Sequence, residues 1–542
     1  MITQDSDAKS IIQEHRSLQS QRQHWEPLWE ECRVLGGMGG NSIYDTTRNP
    51  GQKNNQNLYD DTAQNALGKL TNGIISMVCP DGDYYHGLEA EDDSLKDNSE
   101  AQRWFDEENK ALFSDRYAAS AMFGANNFQT IEGGCGFGTA GTFVDENPDG
   151  GFLYSHIPTW QLFLSDDAYG RPSIIQRKFQ LPAHAILKKY REKTPEAVMK
   201  VVEKEPLRMF WLIHCVRDND EYDPKKSDYR GMKLASYLVL LDGETTIERG
   251  GYFTQPFALL RYNRSQGEVY GRSPLMKVLG SARLLQGMKR DHMNKSEQAL
   301  NPTLLAAGDG TFSKISMKPN SIVHGALNSR GEALIKAFDT GGLPQLAEAL
   351  IEREQDNVAD GMFVKMLTQI ANSPDMNQMQ VLEVVKERAT QLGPAFGTWQ
   401  QQYFDALTAR ELDIRARQGR QVPLPEVLHN KNYKIKYAAP INRALKAGEA
   451  SKVMQTLQAV APIMQLYPEA RHHINGVLAL RKVAESMGAR EILNDEDVAA
   501  QQAQQEQQQA MMAQAAQAAP MVAKAAKDAA EAEAVSGAPA GA

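Results

Sequence analysis

Cysteine is scarce: four residues in 542, and no pair of Cys32, Cys79, Cys135 and Cys215 makes a C-x-x-C. That spacing excludes a disulfide framework and a thiolate metal site, and it predicts reduced, buried thiols in a protein made in a reducing cytoplasm. Long hydrophobic runs are missing too. No apolar stretch approaches the ~18–20 residues that span a bilayer, and the opening Met1-Ile2-Thr3-Gln4-Asp5 is not a secretory leader, so no membrane partner is expected. Positive charge is not in excess. Lys and Arg number 59 against 68 Asp and Glu, a net charge of −9, which argues against a generic nucleic-acid binder. Catalytic signatures are absent as well: no G-x-x-x-x-G-K-[ST], no H-E-x-x-H or Cys/His cluster at ligand spacing, no G-x-S-x-G. His472-His473 are adjacent, point different ways on a helix and read as a surface pair. The expectation is a non-enzymatic scaffold or conduit with no cofactor and no metal.

What is there is ordinary for a soluble globular protein, 42% apolar and 23% charged, in a chain long enough for two to four domains. Residues 6 to 34 read as one amphipathic helix ended by Gly36-Gly37-Met38-Gly39-Gly40, and Thr62 to Met77 as a second. The acidic run in 89 to 108 reads as a solvated face without function. Gly136, Gly138 and Gly141 match G-x-G-x-x-G, but a helix precedes them and a strand follows. That is the reverse of a dinucleotide site, and it predicts a tight helix-to-strand crossing that needs small residues. Residues 151 to 262 are strand-rich. A hairpin is expected over 160–179, two short helices over 182–203, and strands over 209–216, 234–241, 245–249 and 257–262. The fold class is α+β.

The chain is organised around Tyr270 to Arg417. Ser273 caps a helix with Pro274 at its first position, running about 27 residues, roughly 40 Å, to Asn301-Pro302. A glycine-rich insert over 301–342 has short β pieces at Thr303–Ala306 and Ser321–Val323. A second helix is read from Leu343 to Ile370, with an apolar spacing of three or four. After a polar loop, a third runs from about Met376 to Arg417, with Gly393-Pro394 predicting a kink. Tyr433-Lys434-Ile435-Lys436-Tyr437 alternates as a strand, expected to return to the sheet of residues 151–262. Residues 441 to 487 read as helical, and a Gln/Ala-rich tail follows from Val498.

Tyr270-Gly271-Arg272-Ser273-Pro274 before a long helix, Leu392-Gly393-Pro394 inside another, Asn442-Arg443-Ala444 and the Gln/Ala-rich tail together resemble the portal (head-to-tail connector) proteins of short-tailed bacteriophages. The resemblance covers nearly the whole chain. It implies a portal-like fold: an α/β wing (1–272), a stem helix (273–300), a small β-containing clip (301–342), a second stem helix (343–370), a tunnel loop (371–378), a kinked long helix and return strand of the wing (379–440), a helical crown (441–497) and a partly disordered tail (498–542). It also implies a ring of about twelve copies at one capsid vertex of the virion, the conduit for double-stranded DNA during packaging and ejection. The expected partners are the terminase packaging motor, a tail adaptor, and capsid and scaffolding proteins. Twelve helices about 10 Å wide, side by side, leave a pore of roughly 28 Å, which passes a duplex; six leave roughly 9 Å and do not. The implied channel residues are Asn372, Ser373, Asp375, Met376, Asn377 and Gln378, where many relatives are more basic and Thr-rich. These residues form a steric sleeve or a plain connector. Lys289, Arg290, His292 and Lys295 form either a basic ring near the clip or a salt-bridged face between subunits. The competing reading is an internal virion or scaffold protein that never encloses DNA.

Overall fold

The computed structural model describes residues 6–39, 42–43, 58–82, 84–92, 95, 98–306, 327, 330–338, 344–367, 387, 390–391, 393, 395–429 and 431–440, with 456, 458–460, 476, 480 and 509 beyond them. Helix and sheet are mixed, and the chain divides into two units.

The larger unit comprises Met1–Tyr85, Glu108–Val422 and Ala439–Ile441. Its centre is a five-stranded antiparallel sheet ordered β4 (Leu162–Asp166), β5 (Pro172–Pro182), β6 (Met209–Asp218), β7 (Leu234–Leu240), β8 (Thr245–Tyr252). These strands fall where the alternating pattern predicts them. Side chains alternate across a strand, so β6 feeds two cores. Ile213 and Cys215 pack under α1 (Ser6–Arg22) with its Ala8, Ile11 and Ile12. Phe210 and Leu212 pack on the other face under α6 (Ala183–Tyr190) and α7 (Glu196–Val202), through Ala183, Ile186 and Val198. A second sheet, ordered β3 (Phe152–Ile157), β2 (Thr139–Glu146), β9 (Phe257–Arg261), lies against α5 (Phe123–Phe137). All four cysteines are free and buried.

The single N-terminal helix expected over 6–34 is two. α1 ends at Arg22, and α2 (Glu26–Leu35) begins with Pro27 in its first turn. Proline supplies no N–H to close a bond onto residue 23, so the helix breaks there. Arg22 turns inward and donates from Nη1 to the carbonyls of Trp160 and Leu162 at 2.9 and 3.0 Å. α3 spans Thr62–Val78.

The smaller unit comprises His86–Glu107, Pro423–Ala438 and Asn442–Ala542. Here β12 (Tyr433–Tyr437) pairs antiparallel with β1 (His86–Ala90), Leu88 opposite Ile435. The strand therefore does not return to the five-stranded sheet, as its pattern suggested. Alternation specifies a strand but not its partner, and here Lys436–Glu89 (3.1 Å) and Lys431–Asp92 (3.1 Å) add cross-strand charge pairing. Part of the acidic run read as purely solvated is thus ion-paired. Helix α4 (Ser99–Arg116) follows in the chain.

The α8–α9 hairpin and its anchor

Two glycine-bearing motifs that look unrelated in sequence meet in space. α5 ends at Gly138 with φ +81°, the left-handed conformation glycine favours at a helix end. A Cβ on Gly138 would lie 2.1 Å from the Gly271 carbonyl oxygen, and one on Gly271 would lie 2.3 Å from that of Gly138. Only two bare backbones fit. Four bonds fasten the crossing. The Tyr262 N–H donates to Gly138 O (2.9 Å), the Gly271 N–H to Thr139 Oγ1 (2.8 Å), Ser273 Oγ to Gly136 O (2.8 Å), and the Arg272 N–H to Asn263 O (2.6 Å). This is the close crossing the sequence predicts, with a helix C-terminus, not an N-terminus, at the glycines. Tyr270 is wedged against Trp29, with ring centroids 5.0 Å apart, and Trp25 at 5.9 Å.

From this anchor runs α8 (Pro274–Leu300), 27 residues long, with the cap the sequence predicts: the Met276 N–H donates to Ser273 Oγ at 3.1 Å. Its first half buries Leu275, Val278, Leu279, Ala282 and Leu285; beyond Lys289 nearly every side chain is exposed. The first strand expected after it is present as β10 (Leu304–Ala306), paired with β11 (Ile335–Ala337), which was not foreseen. The piece at Ser321–Val323 lies outside the described residues.

α9 (Pro344–Gly361) runs antiparallel to α8. A Cβ on Gly361 would come within 2.3 Å of Val278 Cγ1, so the helices are in close contact there. The second helix expected to run through to residue 370 is interrupted: Phe363 has φ +59°, and helix resumes over 364–367. Met362 is fully buried at the break.

Of the predicted basic residues, Lys289 Nζ lies 3.6 Å from Asp60, Arg290 Nε 3.3 Å from Asp291, and His292 Nε2 3.8 Å from Glu348; Lys295 is exposed. The four do not gather into one basic strip, and Lys289, Arg290 and His292 each lie beside an acidic group. Residues 371–378 lie outside the described residues, as does Pro394; Gly393 is helical. The departure from regular geometry that the third helix does present is a π-helical turn over Gln400–Phe404, just before α10 (Asp405–Arg417). Pattern reading cannot place such a turn, because one extra residue leaves composition unchanged. Tyr403 is buried there. Its hydroxyl donates to Asn127 Oδ1 at 3.0 Å and shares a hydrogen bond with Thr142 Oγ1 at 3.1 Å.

Sequence reasoning missed the buried charges that seat α10. Arg116 and Glu411 are both wholly buried and paired through two bonds, Nε–Oε1 at 3.0 Å and Nη2–Oε2 at 2.5 Å. Tyr154 donates to Glu411 Oε1 (2.5 Å), and Arg116 donates to Tyr85 (2.8 Å). Burial lifts the Glu411 carboxyl above its ordinary range, while Arg116 and Tyr154 pull it back. One turn on, Arg415 is held by Glu108 at 2.9 Å and by Asp115. Glu108 ends the acidic run read as a solvated face, yet it is fully buried. The available signal was the charge pattern of α10 itself, Arg410, Glu411 and Arg415 embedded in the apolar stripe.

Among the described residues no three His, Cys, Asp or Glu are grouped to hold a metal ion, and no helix is long and apolar enough to cross a membrane. Residues 8–493 match the family of bacteriophage head to tail connecting proteins. The chain is similar to the probable portal protein of Bordetella phage BPP-1, 21% identical over 474 residues that cover 85% of this chain and 84% of that one. It is equally similar to the portal protein of Salmonella phage epsilon15, 21% identical over 496 residues, 89% and 88% of the two chains. With the match running over nearly its whole length, the chain belongs to the bacteriophage head-to-tail connecting protein family.

Proposed function

We propose that copies of this chain form a closed ring of about twelve at one capsid vertex, through which double-stranded DNA enters the head and later leaves it. The observation that carries this reading is the α8–α9 hairpin. One end is fixed backbone-to-backbone to the sheet unit, and the other projects with nearly every side chain exposed. A lone monomer gains little from such a projection; a ring of hairpins gains a wall. Family membership gives the connecting role, and both portal relatives support its extension to a portal. In this reading residues 301–342 dock the terminase motor and the tail adaptor, and 371–378 face the bore. The role asks for no catalytic group.

The test is electron microscopy of the purified full chain. Rings with a central hole of roughly 28 Å are expected, the bore that helices about 10 Å wide leave when twelve stand side by side. Monomers or solid filaments would favour a virion component that never encloses DNA.

A further inference from the structure

The two helices of the hairpin carry opposite charge. α8 has five Lys or Arg against two Asp or Glu, net +3; α9 has five Asp or Glu against one Arg, net −4. The charges are also placed apart. α8 turns Val278 and His292 toward α9, and Arg283 and Arg290, two turns from each other, lie on the side away from α9, where Arg290 is exposed and Arg283, also exposed, is bonded to Glu31 of α2. On α9, Ile351 and Val358 are buried, while Glu348, Glu352, Asp356 and Asp360 are exposed. Their spacing of four makes a ridge that winds from the edge of the α8 contact onto the free flank.

Height matters as much as sign. Gly361 is level with Val278, and Glu348 with His292. At a common rise per residue, Arg290 stands level with about residue 350 and Arg283 with about residue 357. A second copy rotated about an axis parallel to the hairpin, without sliding along it, therefore meets Arg290 with Glu352 and Arg283 with Asp356.

We propose that the flank of α8 turned away from α9, through Arg290 above all and Arg283 by exchange of its Glu31 partner, docks on the acidic ridge of α9, through Glu352 and Asp356, of a second copy of this chain. The inference rests on the ring reading for the closure of the contact, but the pairing itself stands on the charge and height match. The contact is heterologous, one flank against a different flank, which is the kind that propagates around a ring. Within the chain these groups are weakly committed. Among the described residues Arg290 pairs only with its neighbour Asp291, at 3.3 Å. Glu352 has no ion-pair partner among the described residues. Arg283 shares Glu31 at 2.8 Å, and Lys365 lies 3.4 and 3.2 Å from Asp356 and Asp360. These exposed pairs are worth little each, and they are exchanged readily for a contact that excludes water.

The experiment is a charge swap in the full chain, read by sedimentation velocity across a concentration series, with micrographs of each sample. Arg290→Glu and Glu352→Arg should each raise the half-assembly concentration by about tenfold or more. The double variant Arg290→Glu/Glu352→Arg should return to within about threefold of the parent. Both sites are exposed, so helicity and the thermal transition should be unchanged; should either swap disturb them, Arg290→Gln and Glu352→Gln must weaken assembly in the same direction. Single variants that assemble like the parent, or a double variant no better than the singles, overturn the proposal. Ring closure is read separately. Parent assemblies that respond to the swaps but show no hole in micrographs keep this contact and discard the ring, whereas a parent that never associates discards both.

Discussion

Glu411 and Arg116 are both wholly buried, so each needs the other. Removing one partner of such a pair strands the second charge, which typically costs about 3–5 kcal/mol. Glu411→Ala is therefore expected to lower unfolding stability by that order in chemical denaturation, and Tyr154→Phe by roughly 1–2 kcal/mol, since it removes one bond to a charged group. Three histidines set a pH response. His15 and His156 are lowered to about 4 and His214 to about 3, each chiefly by burial, with Lys178 and Arg22 opposing charge on the first and Arg177 on the other two. Below the ordinary histidine value the unfolded chain takes up protons that the folded chain refuses. Their contribution is complete above about pH 6.5 and lost as pH falls toward 4 and then 3, by at most about 1.4 kcal/mol per pH unit per histidine. Thermal scans between pH 8 and 5 should show a falling midpoint, with a shallower fall in His214→Gln. Little of this is legible from sequence at the residue scale. Glu108 directly follows Asp106 and Glu107, both exposed, and the fold decides which of the three meets Arg415.

At the scale of elements the sequence said much more. The strands of the five-stranded sheet, the two short helices α6 and α7, and the cap and length of α8 follow from alternation, apolar periodicity and a serine before a proline. The misses have two causes. The break at Trp25 follows from Pro27, a local signal that the reading of 6–34 as one helix passed over. The interruption at Phe363 and the π turn at Gln400–Phe404 sit beside the buried Met362 and Tyr403 and follow from packing, which leaves no mark on composition. The partner of β12 was missed for the same reason. The glycine crossing makes a sharp element-scale prediction. Gly271→Ala drives a methyl into the Gly138 carbonyl, and Gly138→Ala adds an unfavourable φ. Either should cost more than Ser273→Ala, which removes the cap, worth roughly 1 kcal/mol, and the bond to Gly136 O, worth about another 1 kcal/mol, without a clash. Denaturant midpoints of the three variants, compared side by side, check the order; Ser273→Ala as the most damaging would mean the crossing tolerates separation.

At the scale of the whole molecule, the ring reading separates what assembles from what works afterwards. Deleting 308–332 is expected to leave rings intact and abolish adaptor docking in a binding assay, because tips of projecting hairpins vary without disturbing their base. Replacing 372–377 with a short Gly-Ser linker should leave assembly unchanged and lower retention of packaged DNA. That segment holds no Lys or Arg to grip phosphates by charge. Genomes retained at parental density would make it a plain connector.

The crossing of Gly138 and Gly271 also has a mechanical meaning. A conduit for DNA is pushed and pulled along its axis, and α8 would carry that load to its root. There three hydrogen bonds on the consecutive residues Gly271, Arg272 and Ser273 tie its root, and the Tyr262 N–H to Gly138 O bond closes the crossing beside them. Ties on adjacent residues share a load, so the root yields only when several of them break together. Bare backbone at the joint leaves no side chain to flex before the ties take up strain. If α8 lines the conduit proposed above, its root would be a stiff footing for the load that moving DNA puts on it.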